Sequence, residues 1–374
     1  DLDLYVANYV DWGVDNNKFC GDRQTGVRGY CQPGVFNGLP DRLYRNRGNG
    51  IFVDEAATAG FEGARNAGLG VAFADFDDDG WDDLYVANDL DANFLFHNRG
   101  DGTFEDISLL SGVAFSDTGQ MEAGMGVEVA DLDGDGQIDI VVTNFALETN
   151  AFYRNIGDGL FIDSRFSSNL AESSLRYLTF GVAALDLDHD QDLDLALANG
   201  HILDNAEELS AVGEYAQANQ VMENLGGGRF RARMDVGADQ VRVSRGLAYG
   251  DLDDDGDLDL VINNSNQVAE VYENLGGSES GAWLEVDLLG SKGNTAGVGA
   301  RLVGVAAGTE QVRQVRTASS YLSQNALTVH FGLGEAEVVT ELRIRWPSGR
   351  RQVFQQLPAN RRLRIAEPKD PASS

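Results

Sequence analysis

The chain repeats itself. Four segments align without gaps: residues 75–84 (DFDDDGWDDL), 131–140 (DLDGDGQIDI), 186–195 (DLDHDQDLDL) and 251–260 (DLDDDGDLDL). Their starts lie 56, 55 and 65 residues apart. The first residues, DLDLYVAN, match the second half of the same unit, as seen in DLYVAN (83–88), DIVVTN (139–144), DLALAN (194–199) and DLVINN (259–264). Such a period restricts the fold more than composition does, because each unit must bury its apolar face against the next.

Each period carries four short elements. A Gly-led apolar run (GVAFAD, GVEVAD, GVAALD, GLAYGD) leads into the Asp segment, and a strand-like run follows it. Next comes a segment ending in Asn: RLYRN (42–46), FLFHN (94–98), AFYRN (151–155), QVMEN (220–224) and EVYEN (270–274). A Gly turn and a Phe-centred run complete the unit in GIFVDE, GTFEDI, GLFIDS and GRFRAR. The runs are short, rich in β-branched and aromatic residues, and bounded by Gly, Asn and Asp. With 45 glycines and 6 prolines in the chain, this predicts short strands and tight turns. Four strands per unit is a propeller blade. The expected fold is all-β: a propeller over 1–280 with five visible repeats, the first incomplete, and then a small β-sandwich-like domain. Residues 202–220 alone have helical character, and they are expected to form a blade-connecting excursion where the spacing lengthens.

The Asp segments have the pattern D-x-D-x-D-[GQ]-x-x-D. Carboxylates at positions 1, 3, 5 and 9, with a backbone carbonyl at position 7, converge hard oxygens on one point, which suits Ca²⁺. The candidate ligands are Asp75, Asp77, Asp79, Trp81 and Asp83; Asp131, Asp133, Asp135, Gln137 and Asp139; Asp186, Asp188, Asp190, Asp192 and Asp194; and Asp251, Asp253, Asp255, Asp257 and Asp259. About four Ca²⁺ sites are expected. Position 6 needs a sharp turn, and Gly80, Gly136 and Gly256 supply it, whereas Gln191 makes the third loop the weakest. An EF-hand is excluded: position 12, where it places Glu, holds Val86, Val142, Leu197 and Ile262 inside strand-like runs. Without metal, four or five carboxylates would crowd together and repel. The N-terminal half loop keeps only Asp1 and Asp3.

The net charge of −32 argues against nucleic acid and anionic membranes as partners. Residues 1–280 hold 16 Lys and Arg against 52 Asp and Glu, whereas 281–374 hold 12 against 8. No apolar run is long enough for a membrane-spanning helix. The sequence opens without Met or signal peptide, as in a processed chain or a fragment. Cys20 and Cys31 enclose ten residues of a Gly-rich stretch. A disulfide, fitting an oxidising compartment, is the preferred reading, and a pair of reduced thiols is the alternative. Around them, loop 11–41 with Trp12, Phe19, Tyr30 and Phe36 is either a recognition surface or a self-packed excursion.

Residues 281–366 contain further strand-like runs at 283–289, 300–307, 311–317, 327–332 and 342–346. Their Arg313, Arg316, Arg343, Arg345, Arg350 and Arg351 either face solvent or dock on the acidic propeller of the same or another chain. Residues 367–374 look like a linker or frayed end. The incomplete first blade leaves an open strand edge, which a strand from the C-terminal region or a neighbouring chain could fill. Homo-oligomerisation or head-to-tail assembly is therefore an expectation.

An enzyme reading has one candidate residue. His201, which leaves a strand into a long loop near Arg176 and Tyr177, could serve as a base; otherwise it makes a local hydrogen bond. His189 occupies a non-ligand place in the third loop, and His97 and His330 fall in strand-like runs. No hydrolase, zincin, P-loop or dinucleotide signature is present. The alternative function is thus a calcium-dependent carbohydrate-active enzyme of the polysaccharide lyase or sugar dehydratase type.

The repeats resemble the FG-GAP/VCBS repeats of integrin α-subunit heads and many bacterial secreted proteins. NTAGVGARL (294–302), YLSQNALTVHFGLG (321–334) and LRIRWPSGRRQ (342–352) resemble the ASPIC/UnbV domain of the cartilage acidic protein family and its bacterial relatives. The resemblance implies a propeller, usually seven-bladed, with calcium in its D-x-D-x-D-G loops. It also implies an extracellular or secreted calcium-binding protein of adhesion or matrix type with no established catalysis; the sequence leaves open whether its ligand is a protein or a glycan.

Overall fold

A computed structural model describes residues 1–206, 208–209, 213–233, 236–291 and 293–369. Five antiparallel blades follow one another, and then a second β domain. Blade 2 comprises Gly68–Ala74, Asp83–Asp91, Phe94–Asn98 and Phe104–Asp106. Blade 3 comprises Val127–Ala130, Asp139–Val142, Ala151–Asn155 and Phe161–Asp163. Blade 4 comprises Thr179–Leu185, Asp194–Asn199, Gln220–Asn224 and Phe230–Arg233. Blade 1 has three strands (Leu4–Val6, Arg42–Asn46, Phe52–Asp54) and lacks the inner one. Blade 5 (Ser244–Gly250, Asp259–Asn264, Glu270–Tyr272) lacks the outer one, because the chain enters the second domain at that point.

The second strand of each full blade reads as an unbroken apolar run because both its faces are covered. Leu84 to Ala87, Ile140 to Val142 and Leu195 to Ala198 are nearly or wholly buried. Their partners sit on the adjoining blade. Ala72, Ala74, Tyr85 and Ala87 of blade 2 pack on Val127, Val129, Ile140 and Val142 of blade 3, and similar clusters join blades 3 to 4 and 4 to 5. Each buried Leu or Val contributes about 1.5–3 kcal/mol. Glycine opens the inner strand because the next blade comes too close for a side chain. A Cβ on Gly70, Gly126 or Gly181 would collide with the carbonyl of Met125, Phe180 or Arg245, respectively.

The C-terminal domain is a sandwich. One sheet orders Val329–Gly334, Ala282–Leu289 and Arg361–Ala366; the other orders Thr309–Gln314, Arg301–Ala306, Val338–Arg345 and Arg351–Pro358. Leu284, Val286, Leu302, Phe331, Ile344 and Trp346 fill its core. The segment 319–326 runs along the inner strands of the propeller. Ser320 exchanges both backbone hydrogen bonds with Val127 at 3.0 and 2.7 Å, Val182 N–H donates to Ser320 Oγ at 3.0 Å, and Ala326 N–H donates to Tyr249 O at 2.9 Å. At Gly246 the place of a further blade is taken by Ser323 and Tyr321.

Three expectations are corrected. Residues 202–220 lie within blade 4, between its second and third strands, and do not join blades. Among their described residues there are turns and the short strand Gln217–Ala218 but no helix; 207 and 210–212 lie outside the described residues. The C-terminal region adds its segment to the inner edges of blades 3 to 5, whereas among the described residues no strand completes blade 1. Glu367 is anchored rather than frayed: its N–H donates to Leu289 O, and its carboxylate accepts from Ser291, Ser348 and Arg350. Residues 370–374 lie outside the described residues.

Candidate metal centres

The four Asp loops fold alike. Oδ2 of the position-1 carboxylate accepts the position-6 N–H in each: Gly80 to Asp75, Gly136 to Asp131, Gln191 to Asp186 and Gly256 to Asp251, at 3.0–3.1 Å. The position-5 carboxylate accepts the position-7 N–H of Trp81, Gln137, Asp192 and Asp257 at 2.8–2.9 Å. Two left-handed residues make this turn possible. Position 6 is left-handed at Gly80, Gly136, Gly256 and also Gln191 (φ 86°), so the third loop keeps the turn and bears the strain of a side chain there. Position 4 is left-handed too, at Asp78, Gly134, His189 and Asp254, which residue type alone does not reveal.

Three acidic or imidazole ligand atoms lie within 4.8 Å of one another in each loop: Asp77, Asp79 and His97; Asp131, Asp133 and Asp139; Asp186, Asp188 and Asp190; Asp251, Asp253 and Asp255. Buried carboxylate oxygens at these places lack a hydrogen-bond partner, namely Oδ1 of Asp75, Asp131 and Asp188. Asp75 and Asp131 are 7% and 5% exposed, so water does not satisfy them either. Burial and the neighbouring acids push Asp131 up to about 6 and Asp186 to about 7, with Arg313 opposing both. A hard cation would supply the missing partner and relieve this repulsion, so the donor set fits Ca²⁺.

The position-9 aspartates have a prior task. Oδ2 of Asp83, Asp139, Asp194 and Asp259 accepts the N–H of the position-2 residue, while Oδ1 accepts the N–H of Asn98, Asn155, Asn224 and Asn274 at 2.8 Å. Asp3 does the same for Asn46. These carboxylates staple the hairpin to the third strand. The asparagines extend the staple between blades. Nδ2 of Asn155 donates to Phe76 O of blade 2, Asn224 to Leu132 O of blade 3, and Asn274 to Leu187 O of blade 4, at 2.8–2.9 Å. The recurring Asn was visible in the sequence, but its reach across blades was not.

The residue before each Asn faces the loop and makes the sites unequal. His97 Nδ1 lies 3.2 Å from Asp77 and Asp83, and Arg154 lies 3.5 Å from Asp133. Glu223 and Glu273 occupy the same place in blades 4 and 5; desolvation and the neighbouring loop aspartates raise Asp190 and Asp253, and these glutamates add to it. Glu223 is itself held by Arg231 and Arg233.

The C-terminal domain covers these loops. Arg345 pairs with Asp75, Arg301 with Asp78, and Gln314 Nε2 donates to Asp82 at 2.7 Å. Arg316 pairs with the fully buried Glu128 at 2.6 Å. Arg313 lies half-buried near Asp131 and Asp186, at a cavity of about 60 Å³. Of the six expected arginines, Arg313, Arg316 and Arg345 thus meet the propeller of their own chain. Arg343 pairs with Glu310 and Glu341, Arg350 pairs with Glu367, and Arg351 is exposed.

His201 is fully buried, with Nδ1 accepting the Leu203 N–H at 3.0 Å and its ring against Phe145. Cys20 and Cys31 form a disulfide with Cα atoms 5.1 Å apart. In the surrounding loop Lys18 sits over Phe36 and Arg28 over Phe19, whereas Trp12 and Tyr30 are 56% and 71% exposed.

The description FG-GAP-like repeat matches residues 1–86, 75–142 and 131–197, the stretch that contains three of the four loops. The chain belongs to the FG-GAP-like repeat family. ASPIC and UnbV matches residues 290–372, so this propeller carries an ASPIC/UnbV domain as its cap. Cartilage acidic protein 1 of Xenopus tropicalis is 30% identical over 318 residues, covering 83% of this chain and 46% of that protein. The Homo sapiens protein of the same name is 28% identical over 316 residues, covering 83% and 45%. The chain spans about half the length of the curated relatives it matches. A solved Agrocybe aegerita lectin, described as recognising non-reducing terminal N-acetylglucosamine, is 16% identical with a TM-score of 0.37, covering 79% of this chain and 81% of that one. A likeness that slight carries no argument.

Proposed function

We propose that this FG-GAP chain is an extracellular adhesion or matrix module in which Ca²⁺ clips the blade hairpins and catalyses nothing. Bound in the loops, the ion supplies positive charge to carboxylates that otherwise repel. The observation behind this is the set of four alike loops, with buried carboxylate oxygens that have no partner. The relatives named cartilage acidic protein support the matrix setting. The disulfide fits an oxidising compartment, and no helix among the described residues is long and apolar enough to cross a membrane.

The partner, a protein or a glycan, is met by loop 11–41 at the strand ends opposite the Asp loops. Trp12 and Tyr30 offer rigid, amphipathic contact area there. Of the motives for self-association, charge is engaged within the chain. The test is a binding screen against matrix proteins and glycans with the Trp12→Ala/Tyr30→Ala variant alongside. Binding that is lost in the variant while its melting temperature is unchanged supports this surface, and binding that is equal in both refutes it.

A further inference from the structure

Each loop offers two layers of oxygen atoms. Inward, carboxylates at positions 1, 3 and 5 gather in the third and fourth loops, Asp77 and Asp79 gather with His97 in the first, and Asp131 and Asp133 gather with Asp139 in the second. The outer layer consists of the position-4 and position-6 carbonyls and the side chains at positions 4 and 8, and the C-terminal domain binds this layer in all four loops. Arg301 bonds Asp78 of the first loop and donates to Gly136 O of the second at 2.8 Å. Gly334 N–H donates to His189 O of the third at 2.7 Å. His330 Nε2 lies 3.0 Å from Gly256 O of the fourth, and Arg362 bonds Asp254 at 3.1 Å. Trp283 packs on Gly256 where no side chain would fit.

We propose that metal loading of the four loops and seating of the C-terminal domain are one coupled equilibrium, in which the loaded loops form the docking surface. This rests on the calcium-clip reading and adds to it. Two effects oppose each other. Metal-free loops are more negative and attract the arginines more strongly. Yet the ion pairs to Asp78 and Asp254 involve exposed carboxylates, worth about 0–1 kcal/mol each, and the pair of Arg345 with the buried Asp75 is confined to the first loop. Repulsion within an empty loop is larger: two carboxylates 4 Å apart repel by about 4 kcal/mol at an effective dielectric constant of 20. That repulsion displaces the position-4 and position-6 carbonyls at Gly136, His189 and Gly256, whose hydrogen bonds depend on direction. Shape therefore decides the sign, and calcium tightens the seam.

The coupling is reciprocal, so weakening the seam must weaken calcium binding by the same factor. The experiment uses the full chain and two measurements. Calorimetry follows calcium binding to the parent and to Arg301→Ala/Arg362→Ala, whose side chains meet the loops only at the outer layer, Arg362 also pairing with Asp287 within its own domain. The expected result is about a fivefold loss of affinity in the variant. Hydrogen exchange at 318–334, read between zero and saturating calcium, is expected to slow at least tenfold while 338–345 in the sandwich core changes little. Equal affinities together with calcium-independent exchange at 318–334 would overturn the coupling and leave the clip standing. No calcium uptake by either protein would overturn both.

Discussion

The propeller and its cap use opposite strategies. Residues 1–280 carry 52 acidic against 16 basic residues and concentrate the excess in four hairpin tips, whereas the cap carries 8 against 12 around an ordinary apolar core. Trp346, buried and donating from Nε1 to Gln352 at 2.7 Å, needs nothing from outside its domain. Asp131 and Asp186 do. The propeller's loops therefore call for cations: arginines of the cap supply some of that charge, and a metal at the centre of each loop would supply the rest under the proposed function. The cap provides those arginines and has an apolar core of its own.

Exhaustive chelation separates the two most strongly. The melting transition of the propeller should fall by about 10 °C or more, since one ion at a hundredfold excess over its Kd stabilises by about 2.7 kcal/mol and four sites add. The cap should melt last, as followed by near-ultraviolet circular dichroism of Trp346. A single transition that ignores chelator would erase the contrast.

Arg316→Ala comes next. It strands Glu128, which is fully buried, and a broken buried pair costs about 3–5 kcal/mol in denaturant unfolding. A cost below about 1 kcal/mol would show that the seam is solvated. Asn224→Ala should cost about 1–3 kcal/mol, because it orphans Leu132 O and Leu193 O between blades 3 and 4. Asn46→Ala, on the exposed margin of blade 1, should cost less, and equal losses would deny the inter-blade staple.

The chelated propeller should also respond to pH in an inverted sense. Burial pushes Asp139 and Asp194 up to about 8 and Asp186 to about 7. The folded state then holds more protons than the unfolded state between about pH 4 and 8, so stability falls as pH rises through that window. Denaturant midpoints at pH 5.5 and 8.0 in chelator test this, and a higher midpoint at pH 8.0 would contradict it. The smallest effect belongs to the third loop. Gln191→Gly removes a left-handed side chain and should stabilise by about 1 kcal/mol, visible as a small rise in the denaturant midpoint.

Much of the propeller was legible because its signals are local. The D-x-D-x-D spacing, the turn at position 6 and the apolar second strands each lie within ten residues, and all four loops form as their spacing implies. What was hidden depends on other elements. Asn155 reads as a strand end until blade 2 presents Phe76 O to it. Asp83 reads as a metal ligand, and its second task, accepting the N–H groups of Phe76 and Asn98, appears only when those strands are in place. The charge division between the domains was visible, but not which arginines would meet it: Arg301 and Arg362 reach the loops, while Arg343 turns back to Glu310 and Glu341. The helical pattern of 202–220 misled because its apolar residues serve a loop, where Leu203 and Leu209 pack near Gly29 of the disulfide excursion.

The most direct measurement is native mass spectrometry of the chain after exhaustive chelation and again after calcium is restored, with the melting temperature recorded on the same samples. The metal-clip structure predicts the return of about four calcium ions per chain together with recovery of the propeller transition. A chain that takes up no calcium at millimolar concentration, and melts at the same temperature in both samples, would contradict it.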